Sequence, residues 1–423
     1  MVSDPAKILK LRRSFFKAFL SLFFTGVIFW TSAQPVLNSW DSLALTPPMG
    51  WNSWNSFEYQ VSGTIIMEIA DAMVANGMKD AGYEYIIIDD FWVGGRDRRN
   101  VLFPDPERFP SGIKKLSEYV HSKGLKLGIY SDAAEYTCGG VTGSLGFEEL
   151  DAKTFADWGI DYLKYDYCNA PKDVTTAFTR YKKMGDALKN CGRPIVYAIC
   201  EWGQRKPWLW AKAAGGHLWR TTWDSRDAWQ SNDNDLTGIM EIYVQQKGLE
   251  KYAGPGGWND PDMLMTGLYG KGKSSSFDHR FTGCTFTEYR THFALWCMLA
   301  SPLILNADLR NLDEETLKLI TNPYLISINQ DELGKQAKII SETEGVEVSV
   351  KPLSNKRWAV CVFNKNEYEK DFSLDVKQHL QRWEPLEVFD VWQEKTLKNT
   401  KQLKGKLQAH DCKIFILSQV KDR

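Results

Sequence analysis

Two short strings hold the residues best suited to chemistry: Tyr162-Leu-Lys-Tyr-Asp-Tyr-Cys168 and Trp219-Arg-Thr-Thr-Trp-Asp224. Each is an apolar, strand-like run that ends on an aspartate, Asp166 in the first and Asp224 in the second. A carboxylate at the end of a buried strand loses hydration, a cost rarely kept unless the group is paired or used. Each string also carries a cation, Lys164 or Arg220. Two such carboxylates form the pairing that cleaves glycosidic bonds, one facing the anomeric carbon and one protonating the leaving oxygen. Lys164 lies two residues before Asp166, on the same face of a strand, and a nearby ammonium keeps a carboxylate ionised. Asp166 therefore reads as the nucleophile. Asp224 runs into Ser225-Arg226-Asp227, a polar stretch that water can reach, and reads as the acid/base. Arg220 lies four residues before Asp224, too far for a same-face neighbour without a bend, so it reads as a ligand for a substrate hydroxyl.

The elements that must position these residues follow from periodicity. From Leu43 onward, strand-like runs at 49–52, 83–90, 126–132, 162–167, 195–202, 217–224, 256–263 and 302–308 alternate with amphipathic stretches. Ile65, Ile69, Ala72 and Met73 mark one helix face; Ile113, Leu116 and Val120 mark another, which Gly124 ends as a C-cap. Eight strands alternating with helices predict a (β/α)8 TIM barrel. An open doubly wound sheet would carry a Gly-rich phosphate turn after its first strand, and none is present. Asp89, Asp90, Tyr130, Asp132, Asp166, Glu201, Asp224, Asp262 and Asp308 all fall at or just past strand ends, on the rim that carries barrel active sites. Asp132 and Asp308 are equally readable as chance or as helix N-caps. The segment 267–283, rich in Gly, Lys and Ser, reads as a long loop over the barrel mouth. After about residue 330 the runs become short and alternating, at 346–351, 358–364, 371–376, 385–391 and 413–417, and predict a C-terminal antiparallel β-sandwich. The expected organisation is a leader over 1–33, a barrel over 40–330 and a β-domain over 335–423.

Composition narrows the partners. A net charge of -1 over 423 residues gives no reason to expect a nucleic acid. The 17 Trp and 17 Tyr suit sugars at strand ends, although a large aromatic core explains most of them. Lys7, Lys10, Arg12 and Arg13 precede an apolar stretch, 18–30, too short to span a bilayer, and Thr31-Ser-Ala33 offers small residues for cleavage. The chain is expected to be exported, periplasmic or secreted, and free of the membrane after cleavage; an uncleaved anchor is the alternative. Six His, with only His217 near a strand and His279 in a loop, argue against a catalytic metal. Nothing in the sequence specifies an oligomeric state.

Longer motifs carry a resemblance. Leu45-Thr-Pro-Pro-Met-Gly-Trp51-Asn-Ser-Trp54, Ile88-Asp-Asp-Phe-Trp92, Gly124-Leu-Lys-Leu-Gly-Ile-Tyr130-Ser-Asp, Lys164-Tyr-Asp166-Tyr-Cys168, Cys200-Glu-Trp202, Trp219-Arg220 through Asp224 and Gly254-Pro-Gly-Gly-Trp-Asn-Asp-Pro-Asp262-Met263 together resemble glycoside hydrolase family 27, the retaining α-galactosidases and α-N-acetylgalactosaminidases. The resemblance runs from about Leu43 to Gln336 and more weakly beyond. It implies Asp166 as nucleophile and Asp224 as proton donor. It implies Asp89, Asp90 and Lys164 on the axial 4-hydroxyl and 6-hydroxymethyl of galactose. Trp54, Tyr130 and Met263 would wall the pocket, with Glu201, Arg220 and Asp262 on the remaining hydroxyls and the anomeric region. Cys138 would pair with Cys168 and brace the nucleophile beside the pocket. Cys200 matches a pocket position as a free thiol, and Trp202 stands where an acetamide-accepting relative needs a hollow. No cofactor is implied. The other cysteines are open: Cys361 and Cys412 fall in two strand-like runs of the C-terminal domain, where a pairing is one reading and buried thiols the favoured one, while Cys191, Cys284 and Cys297 have no assigned partner. The expected activity is exo-hydrolysis of terminal α-linked galactose. The alternatives are α-N-acetylgalactosaminidase, β-L-arabinopyranosidase, disfavoured by the short Asp at both 89 and 90, and a non-catalytic sugar-binding barrel, disfavoured by the presence of both aspartates.

Overall fold

A computed structural model describes residues 40–231, 237–272, 282–375, 386–397 and 400–419. The leader segment, His279 and most of the 267–283 loop lie outside the described residues. Eight parallel strands form the central sheet: β1 (Met49–Asn52), β2 (Tyr85–Ile87), β5 (Lys126–Asp132), β6 (Tyr162–Asp166), β7 (Val196–Ile199), β8 (Leu218–Arg220), β9 (Trp258–Asp260) and β10 (Leu303–Leu305). Their order is β10-β1-β2-β5-β6-β7-β8-β9, and a parallel bridge between Leu264 and Leu305 joins the last strand's continuation to β10. The ring is the expected TIM barrel. A hairpin, β3 (Val93–Arg96) and β4 (Leu102–Pro104), is inserted after β2.

Apolar patterning explains the packing. The helix Gly63–Ala75 buries Ile66, Ile69, Ala70 and Met73, and Ser62 accepts from the Ile65 N–H as its N-cap. Helix Gly112–Ser122 buries Ile113, Leu116 and Val120, and Gly124 follows it with φ +72°. Several barrel strands are shorter than their apolar runs. The run 217–224 forms a strand only over Leu218–Arg220, and 302–308 only over Leu303–Leu305. Past β8, Thr221 still donates its N–H to the Asp260 carbonyl at 2.8 Å, but the chain then leaves the ladder, and Trp223 is exposed on a rim loop.

The C-terminal region forms a six-stranded antiparallel sheet in the order β11 (Lys338–Thr343), β12 (Val346–Leu353), β13 (Arg357–Asn364), β18 (Cys412–Gln419), β15 (Leu386–Asp390), β16 (Lys395–Leu397). A two-stranded sheet, β14 (Lys370–Asp375) with β17 (Gln402–Leu407), faces it across a core of Val348, Val360, Val362, Phe372, Leu374, Leu403, Leu407, Phe415 and Leu417. The other face of the large sheet, Ala359, Cys361, Phe363, Cys412 and Ile414, joins the barrel core. Across this junction Lys351 donates to the Cys297 carbonyl at 3.0 Å, Thr291 to the His410 carbonyl at 2.8 Å, and Arg290 pairs with Asp411 at 2.6 Å. Cys191, Cys200, Cys284, Cys297, Cys361 and Cys412 are buried free thiols. Among the described residues no helix is long and apolar enough to cross a membrane.

Candidate active site

The C-terminal ends of the strands bring most of the chosen residues together. Asp166 closes β6 as a buried residue, 5% exposed, beside Asp132 at the end of β5, its register partner. The Tyr130 hydroxyl donates to Asp166 Oδ2 at 3.0 Å, and the Tyr167 N–H donates to Oδ1 at 3.0 Å. Cys138 and Cys168 form the disulfide that the resemblance implied, with Cα atoms 5.1 Å apart, and the Cys138 sulfur lies 3.6 Å from Asp166 Oδ2. The bridge therefore packs directly against the nucleophile candidate. Asp132, Cys138, Asp166 and Cys168 cluster within 4.8 Å. Two of those four donors are disulfide sulfurs, so they supply no thiolate for a metal.

Asp132 departs from both readings offered for it. It is fully buried and caps no helix; its oxygens accept from the Ala134 N–H at 2.8 Å and the Cys168 N–H at 2.9 Å. It thereby stitches the end of β5 to the residue two past Asp166. Asp308 is the plainer case, a cap on a short 3-10 turn and an ion-pair partner of Arg310. No sequence signal separated the two. Asp132 differs only in having another strand-end aspartate beside it in register, which appears once β5 and β6 are paired.

Lys164 reaches past Asp166 to Asp89. Its ammonium pairs with Asp89 Oδ2 at 2.7 Å, where Asn52 also donates at 2.7 Å. Asp89 Oδ1 accepts from the Asp90 N–H at 2.9 Å, and Asp90 accepts from Phe91 at 2.7 Å and Gly139 at 2.8 Å. A Cβ at Gly139 would fall 2.6 Å from the Phe91 ring and 2.9 Å from Asp90 Oδ2, so only glycine lets that N–H reach the carboxylate. Asn52 and Gly139 were not singled out from the sequence, although Asn52 stands inside the first quoted motif. Trp54 stacks on Phe91 with centroids 6.0 Å apart and planes 9° from parallel.

Arg220 reaches Asp224, which a straight strand would not allow. β8 ends at Arg220 and the chain bends, so the guanidinium turns to Asp224 at 3.0 Å and to Asp262 at 2.9 Å. The four-residue spacing suits a bent chain and not a straight strand. Asp224 sits on the loop beyond β8 rather than at a strand end, and its side chain is 46% exposed. Asp262 holds the loop from below: it accepts from the Ser225 N–H at 2.6 Å and adopts φ +91°, a conformation unusual for aspartate. Lys164, Cys200, Arg220, Asp262 and Met263 line one small buried cavity under the rim. Glu201 is set apart from this group. It is fully buried, and both its oxygens are taken by Arg205, through the backbone N–H and the guanidinium. Trp202 stacks on Trp223.

Electrostatics divides the acids. Burial pushes the Asp166 carboxyl up to about 7; Lys164 opposes that and the Asp224 charge adds to it. Burial and the charge of Asp166 push Asp132 up to about 9. Burial also acts on Asp224, but Arg220, with Lys164 and Arg226 behind it, outweighs it and holds the carboxyl below its ordinary range. Water reaches Asp224, which weakens that pull. Burial lifts Asp262 to about 6 against Arg220, and Glu201 to about 7 against Arg205. Lys164 stays protonated despite burial because Asp89 touches it. His217 is buried and neutral, pushed down to about 4, and its Nδ1 accepts from the Tyr197 N–H.

Known proteins match this arrangement along nearly its whole length. The family model for α-galactosidase A matches residues 46–331, and the model for the α-galactosidase C-terminal β-sandwich domain matches 343–417. An α-galactosidase A of Cellvibrio japonicus is 42% identical over 402 residues, covering 92% of this chain and 95% of that protein. The crystal structure of α-galactosidase I from Mortierella vinacea superposes with a TM-score of 0.83 at 34% identity, covering 90% of this chain and 98% of that one. A β-L-arabinopyranosidase of Geobacillus stearothermophilus superposes with a TM-score of 0.77 at 26% identity, over 90% and 98%. A barrel whose rim gathers paired carboxyls, a β-sandwich behind it and these matches give one conclusion: the chain belongs to the α-galactosidase A family, glycoside hydrolase family 27, and is a glycoside hydrolase.

Proposed function

We propose that the protein is a retaining, exo-acting α-galactosidase. Asp166 attacks the anomeric carbon and Asp224 first protonates the leaving oxygen, then deprotonates the incoming water. The observation that carries this reading is the pairing of a buried carboxyl, held on two sides by Tyr130 and the Tyr167 N–H, with a half-exposed one held by Arg220. The charge of Asp224 adds to the burial that raises Asp166, so ionisation of one disfavours ionisation of the other. A sugar that fills the pocket excludes water from the Asp224 side and raises that group, while the ammonium of Lys164 favours charge on Asp166. Binding thus favours a proton on Asp224, where the first step needs it. Asp89 and Asp90, aimed by Lys164, Asn52 and Gly139, supply acceptors for hydroxyls. Charged acceptors discriminate between epimers better than an apolar wall does. The closeness to named α-galactosidases, at 42% identity, favours galactose over L-arabinopyranose, whose enzyme stands at 26%. Export by the N-terminal leader completes the proposal, and the Cys138–Cys168 bridge suits an oxidising compartment.

The test is Asp166→Gly with azide. Turnover of a nitrophenyl α-galactoside should fall by several orders of magnitude, and azide should restore it with β-galactosyl azide as product. Turnover that persists without azide would assign the nucleophile elsewhere. A parallel assay on α-GalNAc and β-L-arabinopyranosyl substrates separates the sugar assignment from the mechanism.

A further inference from the structure

Trp223 immediately precedes Asp224, and the residue is 53% exposed. Its ring lies flat against Trp202, with centroids 5.4 Å apart and planes 13° from parallel. Leaving so much of a large apolar ring in water forgoes burial that would favour folding. The backbone beneath the pair is built to hold it there. Trp202 has φ +58°, in the left-handed region that non-glycine residues occupy only when their surroundings impose it. Gly203 follows with φ +74°, and a Cβ on it would fall 2.0 Å from the Thr221 carbonyl oxygen. The loop after β7 therefore lies directly on the backbone that leads to Trp223, and only glycine permits that approach. On the other side of Trp202, the buried Glu201–Arg205 pair fixes the start of the same loop. The two indoles form a rigid ledge with one broad face open.

Geometry also dictates what that face meets. A proton donor works only within hydrogen-bond reach of the oxygen it protonates. The group carried by that oxygen must then lie on the rim beside residue 224, on the solvent side. One face of a pyranose presents C–H groups and stacks on an indole, while the ring's hydroxyls stay wet. We propose that the stacked Trp202–Trp223 pair is the leaving-group subsite, with the open face of Trp223 taking the pyranose ring to which the terminal sugar is linked. The enzyme is thereby tuned to glycosides whose leaving group is itself a sugar. This rests on the assignment of Asp224 as acid/base.

The test compares melibiose, whose leaving group is glucose, with α-galactosyl fluoride, whose leaving group has no ring. Trp223→Ala should lower kcat/KM for melibiose at least about tenfold more than for the fluoride, chiefly through KM, and Trp223→Phe should recover most of the difference. An equal fall on both substrates, or no fall on melibiose, would overturn the subsite while leaving the α-galactosidase reading intact. A wild-type enzyme inactive on both would overturn that reading and the subsite with it.

Discussion

Asp166 and Asp224 differ less in kind than in neighbours. The first is buried between a tyrosine hydroxyl, a disulfide and another carboxyl; the second is wet on one side and tied to a guanidinium on the other. The charge on Asp224 raises Asp166. Replacing Asp224 with Asn removes that charge and should lower the Asp166 pKa from about 7. With α-galactosyl fluoride, which needs no proton donor, the acid limb of kcat/KM should then move to lower pH. An acid limb that stays put or moves upward would mean that the charge of Asp224 does not act on Asp166. Asp90→Asn keeps the shape but gives up one charged acceptor, each charge-assisted bond being worth roughly 1.5–3 kcal/mol. An α-galactoside assay should show kcat/KM down at least about tenfold; an unchanged value would reduce Asp90 to a structural cap. Both aspartates of the proposed pair were legible because each ends an apolar run beside a cation. The partners of those cations were not: Lys164 contacts Asp89 and Arg220 contacts Asp224, each set by where a strand stops or which strands adjoin.

Elements set these geometries, and their legibility followed their burial. β1 and β5 match the apolar runs residue for residue, while β8 and β10 stop early because the chain leaves the ladder at the rim. β11, β16 and β17 escaped notice. β11 and β16 are the edges of the large sheet and β17 belongs to the two-stranded one, and all three are rich in Lys, Thr, Gln or Glu, the residues that edges carry to discourage further pairing. Asp132 shows why register matters: its place next to Asp166 exists only between paired strands. Asp132→Asn would set an amide NH2 against one of two backbone N–H donors, a loss of about 1–3 kcal/mol. Thermal unfolding should show a lower Tm, and kinetics a lower kcat with little change in KM, while the disulfide still forms. A fall in KM affinity alone would place Asp132 in sugar binding instead. Lys351 on β12 makes a pH-dependent case at the junction. Burial pushes it down to about 7, against about 10.5 unfolded. Below pH 7 the folded state holds a buried charge at full cost, and between about 7 and 10.5 the unfolded state binds the extra proton, so the cost fades as pH rises. Lys351→Met should therefore raise Tm at pH 7, with the gain shrinking toward pH 10; a constant gain would mean that Lys351 does not titrate in this range.

At the scale of the whole molecule, the barrel supplies the rim and the β-sandwich covers one of its flanks. β13 is buried over its last six residues because its two faces serve two cores, one within the sandwich and one against the helix Phe286–Leu299. That arrangement is legible in outline from the change of period near residue 330, but the docking is not, since it depends on side chains such as Lys351 and Arg290 that read as surface residues in sequence. In the mechanism proposed here the two carboxyls act from opposite sides of one bound sugar in a double displacement. Proton NMR of the first galactose released from an α-galactoside tests it most directly, before mutarotation mixes the anomers. Two inversions, at Asp166 and then by water, yield α-galactose first; β-galactose as the first product would mean a single displacement and would contradict Asp166 as nucleophile.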